Sequence, residues 1–461
     1  MKDNKKRLIF ILGMFSLVFI LVIVYLVYFQ LFMADDLAQH PNNRRNSVDE
    51  ANIVRGNIYD RNDVILARDQ KDDNGIKYRE LIYPYSYSHL IGYRSEIYGN
   101  SGIERYFNNY ILDIQGKDPI NELRRTVITQ GVGNDVKLTI DNDLQLKANE
   151  LMDGHKGAAI IMKPSTGEVL AMLSSPNFDA NRVDSLWEGL INNESSPLFD
   201  RALHGQYIPG SIAKIVSSLA IMESGIDENY YDSGKAVIDG YTFENYGSIA
   251  YGDIDLEDAI DDSVNTYFAD KALEVGRSKF REVYDRFLFN KEFDFDLPAS
   301  GSKAPFRSDM GDTELAASSF GQGTLIVSPL HMAMMISSIS NDGIMMQPYI
   351  VSNIYDKNGK TLYEAEEKVL SKVGDIHDIE KLQSYLRNNL TGENIDIYGY
   401  EIAGKTGTAE NETDNWHGWF VGYEKEEDVA VAVVVEEAGE VGALSAQPIA
   451  EQLFRLYFEL N

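Results

Sequence analysis

The uncharged run from Leu8 to Met33 limits the folding of this chain more than any other part of its sequence. A helix needs about 20 mainly apolar residues to cross a bilayer, and this run is longer. We therefore predict one transmembrane helix over residues 8–33. The alternative is a cleaved signal peptide, whose apolar core spans only about 7–15 residues and precedes a small-residue cleavage site. Because this run is longer and ends in bulky residues, the sequence favours an uncleaved anchor.

Charged residues are distributed unevenly around this run. A basic cluster precedes it and acidic residues follow it, namely Lys2, Lys5, Lys6 and Arg7, then Asp35 and Asp36. Basic residues favour the cytoplasmic side of a membrane, so residues 1–7 are predicted to form a cytoplasmic tail. The rest of the chain would then lie outside the cytoplasm. The sequence holds no second run of this kind, which predicts a single-pass protein of the cell membrane.

Composition excludes several classes of function. The 461 residues allow two or three domains. A formal net charge of −30 argues against a nucleic-acid partner and is typical of a solvated acidic surface. Cysteine is absent, which excludes a thiol nucleophile, thiolate metal ligands and disulfides. The seven histidines are scattered and lack the His-Glu-x-x-His spacing, which disfavours a zinc hydrolase.

The chain beyond the anchor divides into two regions. Residues 34–145 are polar and rich in turn residues, and they are predicted to form a smaller N-terminal extracytoplasmic domain. Residues 146–461 are predicted to form the larger domain. The boundary falls near residues 139–153, where Leu144 to Met152 has the apolar spacing of a helix.

Strand patterns lie at both ends of the second region, and helical patterns lie between them. A hairpin is predicted from Ala158 to Leu173, around turn residues 163–167. Near the C-terminus, strands are predicted at residues 401–408, 418–423 and 429–435. The closing stretch, Ser445 to Leu460, reads as a helix with Ser445 as its N-cap. The two ends can pair into a mainly antiparallel sheet packed by helices, which is an α+β fold.

The first motif with chemical meaning is Ser211-Ile212-Ala213-Lys214. It begins an apolar helical pattern, and residues three apart on a helix are neighbours, so Ser211 and Lys214 share a face. Serine needs an adjacent base to act as a nucleophile, and lysine is such a base only when burial and nearby cations lower its pKa. The alternative is that Ser211 is an ordinary helix N-cap.

The second motif, Ser263-Val264-Asn265, follows the first by 263 − 211 = 52 residues. Two short polar side chains on one side of a tight turn are able to hydrogen-bond Lys214 and a substrate amide. The alternative is a helix cap before the apolar residues that begin at Tyr267.

The third motif is Lys405-Thr406-Gly407-Thr408, on a predicted strand. Lys405 supplies positive potential, and Thr406 and Thr408 supply hydroxyls for a carboxylate. Gly407 lets a substrate backbone approach the strand closely. The backbone N–H of Thr408 is able to complete an oxyanion hole with that of Ser211. The alternative is an ordinary strand end.

Two other stretches have the residue spacing of the first or second motif but lack its setting, and we call them decoy motifs. Ser300-Gly301-Ser302-Lys303 lies among glycine and proline residues, not on an apolar helix, and Ser175-Pro176-Asn177 precedes Ser211. Gly321-Gln322-Gly323 lacks the lysine and strand context of a phosphate loop and reads as a turn. His417 is interpreted as a structural or rim residue, and Trp416 and Trp419 as packing residues.

In this order and in these predicted settings, the three motifs resemble the active-site set of penicillin-recognising serine acyl-transferases. The chain as a whole resembles a class B penicillin-binding protein. Further segments look like family segments: Arg55-Gly56 with Asp60-Arg61, Gly99 to Tyr106, Pro164 to Asn177, Gly321-Gln322-Gly323 with Ser328-Pro329-Leu330, and Trp419 to Gly422.

The resemblance implies a penicillin-binding/β-lactamase-like transpeptidase domain on an N-terminal pedestal or dimerisation-like domain. It implies a peptidoglycan D,D-transpeptidase that cross-links stem peptides through a serine acyl-enzyme, is inhibited by β-lactams and needs no cofactor. By resemblance, Ser211 is the nucleophile and Lys214 its base. Ser263 and Asn265 relay protons and position substrate, and Lys405, Thr406, Gly407 and Thr408 bind it. A multi-spanning, SEDS-type glycan polymerase is the implied partner.

Three alternatives remain open. A D,D-carboxypeptidase or a β-lactamase shares the acylation chemistry but lets water remove the acyl group. No Glu-x-x-Leu-Asn stretch lies between Asn265 and Lys405, which disfavours a class A β-lactamase. A non-catalytic penicillin-binding scaffold would be expected to have lost a motif residue, and none is missing.

Overall fold

The fold is taken from a computed structural model, which describes residues 2–32, 53–73, 75–114, 131–391, 395, 397–409, 416–439 and 441–461. The chain begins with helix α1, Lys2–Phe32. Its most apolar window, Leu12–Phe29, has a mean hydropathy of 2.6 and is not buried against the protein. Within the described ranges this is the one helix long and apolar enough to cross a membrane. The apolar run is therefore helical from Leu8 to Phe32, and Met33 lies outside the described residues.

The first region is built on a six-stranded mixed sheet in the order β15-β14-β6-β1-β2-β3. Its strands are β1 Ile58–Tyr59, β2 Ile65–Lys71, β3 Lys77–Leu81, β6 Asp135–Leu138, β14 Val351–Tyr355 and β15 Thr361–Glu364. β1 and β6 run parallel, and the other neighbours run antiparallel. Two strands from residues 351–364 therefore join a sheet whose other strands precede residue 139.

The second region is built on a five-stranded antiparallel sheet in the order β17-β18-β19-β7-β8. Its strands are β7 Lys156–Met162, β8 Val169–Ser175, β17 Ile402–Ala409, β18 His417–Glu424 and β19 Val429–Glu436. β7 pairs with β19, which brings together strands from the two ends of this region. The predicted hairpins, and the pairing of the two ends into one sheet, are confirmed.

Helices cover both faces of the five-stranded sheet. Their bounds, with those of the remaining helices, are α2 Gly102–Tyr106, α3 Asn108–Ile111, α4 Asn142–Leu151, α5 Val183–Ile191, α6 Arg201–His204, α7 Lys214–Ser224, α8 Leu256–Asp261, α9 Asn265–Val275, α10 Arg277–Arg286, α11 Asp312–Ser319, α12 Pro329–Ser340, α13 Ile376–Thr391 and α14 Gly442–Leu460. Successive side chains of a strand point to opposite faces, so each central strand contributes to two cores. One core contains α7 and α12, and the other contains α4 and α14.

The closing helix begins earlier than the sequence predicted. α14 starts at Gly442, with Val441 as its N-cap residue, and the hydroxyl of Ser445 donates to the carbonyl of Val441. The prediction of Ser445 as the N-cap is therefore wrong. The helix extends upstream because Gly442 packs closely on strand backbone: a Cβ there would lie 2.3 Å from the oxygen of Gly407. That tertiary contact has no signal in the local pattern.

A small lobe lies between the first and second motifs. It consists of residues 230–254 and contains two two-stranded sheets, with strands β9 Tyr230–Asp232, β10 Lys235–Ile238, β11 Tyr241–Glu244 and β12 Gly252–Ile254. β9 pairs with β12, and β10 pairs with β11. Two further short pairs elsewhere in the chain are β4 Arg94–Ser95 with β5 Gly99–Asn100, and β13 Ile344–Met346 with β16 Val369–Lys372.

Candidate active site

The first motif forms the start of a buried central helix. Gly210–Ala213 is a 3₁₀ turn that continues directly into α7. In a 3₁₀ turn residues three apart are eclipsed, which aligns Ser211 with Lys214. Ser211 is half-buried, whereas the side chain of Lys214 is fully buried. The predicted shared face of the two residues is confirmed.

The second motif forms a tight turn between two helices. Ser263 has a left-handed backbone, with φ +56°, two residues after the end of α8. This conformation is uncommon for a residue other than glycine, and it is often found at functional sites. Asn265 is the first residue of α9, and Val264 is the N-cap residue. Neither Ser263 nor Asn265 therefore occupies the N-cap position that the alternative reading gave them.

Three polar side chains and one backbone oxygen surround the amine of Lys214. Lys214 Nζ lies 3.2 Å from Ser211 Oγ, 3.0 Å from Ser263 Oγ and 2.8 Å from Asn265 Oδ1. It also lies 2.6 Å from the backbone oxygen of Ser263. The hydroxyl of Ser263 donates to Ser211 Oγ at 2.9 Å. A candidate nucleophile, its base and a second hydroxyl thus form one connected hydrogen-bonded cluster.

The electrostatic setting favours a neutral amine at Lys214. Burial lowers the pKa of Lys214 well below its ordinary value, because a charged amine loses its hydration there. The positive charge of Lys405 lowers this pKa further. A lysine whose pKa is lowered loses its proton more readily than an exposed lysine, and its lone pair is then able to accept the proton of Ser211.

The third motif lies on β17, the strand at one edge of the five-stranded sheet. Lys405 is buried and lies close enough to Lys214 to lower its pKa. Thr406 and Thr408 are half-buried, and the hydroxyl oxygen of Thr408 accepts a hydrogen bond from the backbone N–H of Gly442. Among the described residues, no hydrogen bond joins Thr406 to the cluster around Lys214.

Two glycines let the nucleophile turn touch this strand. Gly210 has φ +58°, and a Cβ there would lie 2.4 Å from the backbone oxygen of Thr408. A Cβ on Gly407 would lie 2.8 Å from the backbone oxygen of Pro209. Real Cβ atoms do not come this close to backbone oxygens, so both positions require glycine. The backbone of Thr408 therefore lies against that of Gly210, the residue before Ser211.

Several residues that fix the nucleophile turn were not assigned this role from the sequence. Trp419 is fully buried, and its indole N–H donates to the carbonyl of Ile208 at 3.1 Å. The N–H of Gly210 donates to the carbonyl of Gly321. A Cβ on Gly321 would lie 1.9 Å from the backbone oxygen of Gly210, so the two residues are in close contact. The sequence predicted Trp419 as a packing residue and Gly321 as part of a turn, and both are confirmed. Their contacts with the turn had no local signal.

The decoys lie in unrelated settings. Ser300 to Lys303 is a loop, in which Ser302 is buried and its hydroxyl accepts from the N–H of Ser328. Ser175 ends β8, and its hydroxyl donates to the carbonyl of His155. His417 begins β18, packs against the ring of Tyr207 and accepts from the N–H of Glu437. The prediction that the first decoy does not lie on an apolar helix is confirmed.

Known families match both regions of the chain. The family model of the penicillin binding protein transpeptidase domain matches residues 157–455. That of the penicillin binding protein A dimerisation domain matches residues 55–134. Among curated relatives, peptidoglycan D,D-transpeptidase PbpA of Mycolicibacterium smegmatis is 28% identical, over 91% of this chain and 92% of that protein. Peptidoglycan D,D-transpeptidase MrdA of Acinetobacter baumannii is 26% identical, over 81% of this chain and 65% of that protein.

Solved structures agree with these relatives. Penicillin-binding protein A from M. tuberculosis, as a ceftriaxone acyl-enzyme complex, superposes with a TM-score of 0.83 at 25% identity. The match covers 88% of this chain and 99% of that one. The D,D-transpeptidase domain of a peptidoglycan glycosyltransferase from Eggerthella lenta superposes with a TM-score of 0.80 at 32% identity, over 89% of this chain and 99% of that one.

Proposed function

Because the chain belongs to the penicillin-binding protein transpeptidase family, we propose that Ser211 is the nucleophile that becomes acylated by the substrate and that Lys214 is its base. The protein is a class B penicillin-binding protein, a serine-type peptidoglycan D,D-transpeptidase and a target of penicillins. The observation that supports this assignment most strongly is the contact of Lys214 Nζ with Ser211 Oγ, Ser263 Oγ and Asn265 Oδ1.

Acylation begins with the neutral amine of Lys214. It takes the hydroxyl proton of Ser211 while the serine oxygen attacks the carbonyl of the D-Ala-D-Ala bond. The negative charge of the carbonyl oxygen is stabilised by the N–H groups of Ser211 and Thr408. The N–H of Ser211 is suited to this role, since the first N–H groups of a helix have no intrahelical acceptor. Ser263, which contacts both Lys214 and Ser211, relays the proton to the departing D-Ala amine.

Deacylation reverses these roles. The amine of a neighbouring stem peptide attacks the Ser211 ester and loses a proton to Lys214. The new amide forms, and Ser211 recovers its proton. During the preceding acylation, Asn265 positions the donor peptide beside Lys214, while the charge of Lys405 and the hydroxyls of Thr406 and Thr408 hold the terminal carboxylate, which leaves with D-Ala. Gly407 lets the peptide lie close to β17.

The arrangement at the membrane is also a proposal. Residues 8–33 anchor the protein, residues 1–7 face the cytoplasm, and the catalytic region lies outside it. Residues 34–145 form the pedestal and residues 146–461 the transpeptidase domain, with residues 351–364 adding two strands to the pedestal sheet. A multi-spanning SEDS-type glycan polymerase binds the anchor and the juxtamembrane region, and it supplies the glycan strands that are cross-linked. Replacing residues 8–33 with an unrelated apolar helix should abolish co-purification with such a polymerase, and unchanged co-purification would contradict this partner site.

Intact-protein mass spectrometry with benzylpenicillin tests the assignment of Ser211. Wild-type protein and Ser300→Ala should both carry a stable adduct, and Ser211→Ala should carry none. Ser300→Ala is the matched control, because it changes the serine of the decoy motif. An adduct that persists in folded Ser211→Ala would contradict the nucleophile. Rapid hydrolysis of the penicillin without an adduct would indicate a β-lactamase instead.

A further inference from the structure

A buried polar network joins the lobe of residues 230–254 to the start of helix α9. Its members are the buried residues Asp232, Asn245 and Thr266, which are between 0 and 4% exposed. The hydroxyl of Thr266 donates to Asp232 Oδ1 at 2.6 Å. The amide of Asn245 donates to Asp232 Oδ2 at 2.9 Å. These three residues lie outside all three motifs, and the acylation chemistry described above does not use them.

This network replaces the missing cap of α9. The N-cap residue is Val264, whose apolar side chain makes no capping hydrogen bond. The first N–H groups of a helix need acceptors from outside it. Asn245 Oδ1 supplies one, because it accepts from the backbone N–H of Thr266 at 3.1 Å. The position of the helix start is therefore set by the lobe rather than by the turn that precedes it.

The lobe of residues 230–254 also orients the side chain of Asn265. Its Nδ2 donates to the backbone oxygen of Glu244 at 3.2 Å, and its Oδ1 faces Lys214 Nζ at 2.8 Å. Glu244 is the last residue of β11, directly before Asn245. A rotated Asn265 amide would remove the oxygen that accepts from Lys214 Nζ and would place an oxygen against the carbonyl of Glu244, so both hydrogen bonds would be lost.

Asp232 fixes the lobe side of the network. Its carboxylate also accepts from the backbone N–H groups of Gly234 and Tyr251, at 3.0 and 2.9 Å. With the bonds from Thr266 and Asn245, the carboxylate makes four hydrogen bonds and ties together both sheets of the lobe. Such fully bonded buried networks hold their members in one arrangement.

We propose that Asp232, Asn245 and Thr266 are positioning residues for acylation, which act by holding Asn265 in register with Lys214. This inference rests on the proposed roles of Lys214 and Asn265. Small displacements of a catalytic group can slow a reaction by about 10²-fold, so a network that fixes the helix start affects the rate and not only the stability.

The test is the acylation of the full chain in detergent micelles by a fluorescent penicillin, followed by stopped flow. Thr266→Val keeps the shape of the side chain but removes the hydroxyl, and the acylation rate constant at saturating penicillin should fall about tenfold or more. The dissociation constant of the initial complex should change less. Thr266→Ser keeps the hydroxyl and should restore the rate constant to within about threefold of wild type.

Tyr230→Phe is the matched control. It removes another hydrogen bond of 2.6 Å between the lobe and α9, from the Tyr230 hydroxyl to Asp270 Oδ2, but farther along the helix. Its acylation rate constant should stay within about twofold of wild type. Equal losses in Thr266→Val and Tyr230→Phe would overturn the proposal, because general anchoring of the lobe would then explain both. An unchanged rate constant in Thr266→Val would overturn it as well.

Two further measurements keep the outcome unambiguous. If Thr266→Val does not fold, Asp232→Asn is measured in the same way and should show the same fall in rate constant. Peptide mapping of the wild-type adduct distinguishes a failure of the proposed nucleophile from a failure of the positioning network. An adduct away from Ser211 would refute the proposed function itself, whereas an adduct on Ser211 with unchanged variants would refute only the positioning network.

Discussion

At the scale of single residues, the chemistry depends on a lysine that is buried where a charged amine is unfavourable. Burial first, and the charge of Lys405 second, lower the pKa of Lys214. The oxygens around it come from Ser211, Ser263 and Asn265, and no carboxylate in the described part of the chain bonds the amine of Lys214. Lys214 therefore differs from a structural lysine, which gains a carboxylate partner when it is buried.

The pH dependence of acylation follows from this pKa. The rate should rise as Lys214 loses its proton and reach a plateau at a pH well below the ordinary pKa of lysine, near 10.5. Lys405→Gln removes a positive charge that lowers this pKa, so the rising limb should move to higher pH. The measurement is the acylation rate constant from pH 5 to 10, normalised to its plateau.

Lys303→Gln is the control for this measurement, because it removes an exposed lysine from the decoy motif. Its rising limb should coincide with that of wild type. A limb that stays in place in Lys405→Gln, or one that moves equally in Lys303→Gln, would contradict the assignment of the limb to Lys214.

At the scale of elements, the site depends on how closely a turn, a helix start and an edge strand approach one another. Gly210 combines a left-handed backbone with direct contact to the backbone of Thr408. Gly225, at the end of α7, has a similar φ of +69° but open space around it. A comparison of the two positions therefore distinguishes the effect of a left-handed backbone from the effect of the contact with Thr408.

Replacing each glycine with alanine tests this distinction. Gly225→Ala should cost about 1 kcal/mol of stability from its left-handed backbone alone and leave acylation within about twofold of wild type. Gly210→Ala adds a clash with Thr408, so it should be less stable and should acylate at least tenfold more slowly. Thermal unfolding and acylation rates measure both effects. Equal behaviour of the two variants would show that the contact with Thr408 is unimportant.

The sequence predicted elements better than it predicted their contacts. The apolar spacing after Ser211, the strand around Lys405 and the pairing of the two ends of the domain followed from local patterns, and the structure confirms them. The contact of Gly210 with Gly321, the capping of α9 by Asn245 and the early start of α14 join residues far apart in sequence. Such contacts depend on register and packing, which periodicity does not encode.

At the scale of the whole molecule, the pedestal is held by a buried ion-pair network. Glu104 pairs with Arg55 at 2.6 Å and with Arg79 at 2.7 Å, and Arg79 also contacts Asp69. All four side chains are at most 4% exposed. The first family-like segment, around Arg55, is thus tied to the segment that contains Glu104. The sequence identified both segments by resemblance but gave no indication that they meet.

Breaking this network should destabilise the molecule. Burial raises the pKa of Glu104, but the two guanidinium groups outweigh that effect and lower the pKa to about 2. Its contribution to stability should be fully present above about pH 4.5, the ordinary value, and lost as the pH falls through 2. Glu104→Gln at neutral pH should cost about 3–5 kcal/mol, because two buried arginines lose a charged partner.

The matched control is Glu80→Gln, which breaks the partly exposed pair of Glu80 with Arg68 on the same sheet. Its cost should be below about 1 kcal/mol. Chemical denaturation of both variants at pH 7 provides the comparison. A Glu104→Gln variant as stable as Glu80→Gln would contradict the structural importance of the buried network.

The central claim is that Ser211 transfers a stem-peptide acyl group to an amine, and a cross-linking assay tests it most directly. The full chain in detergent micelles is given a synthetic stem peptide that ends in D-Ala-D-Ala, together with an amine acceptor, and the products are separated by mass. Wild-type protein should release D-Ala and form the cross-linked amide, while Ser211→Ala should do neither. Cross-linking by folded Ser211→Ala, or release of D-Ala with only hydrolysed peptide at high acceptor concentration, would contradict the account.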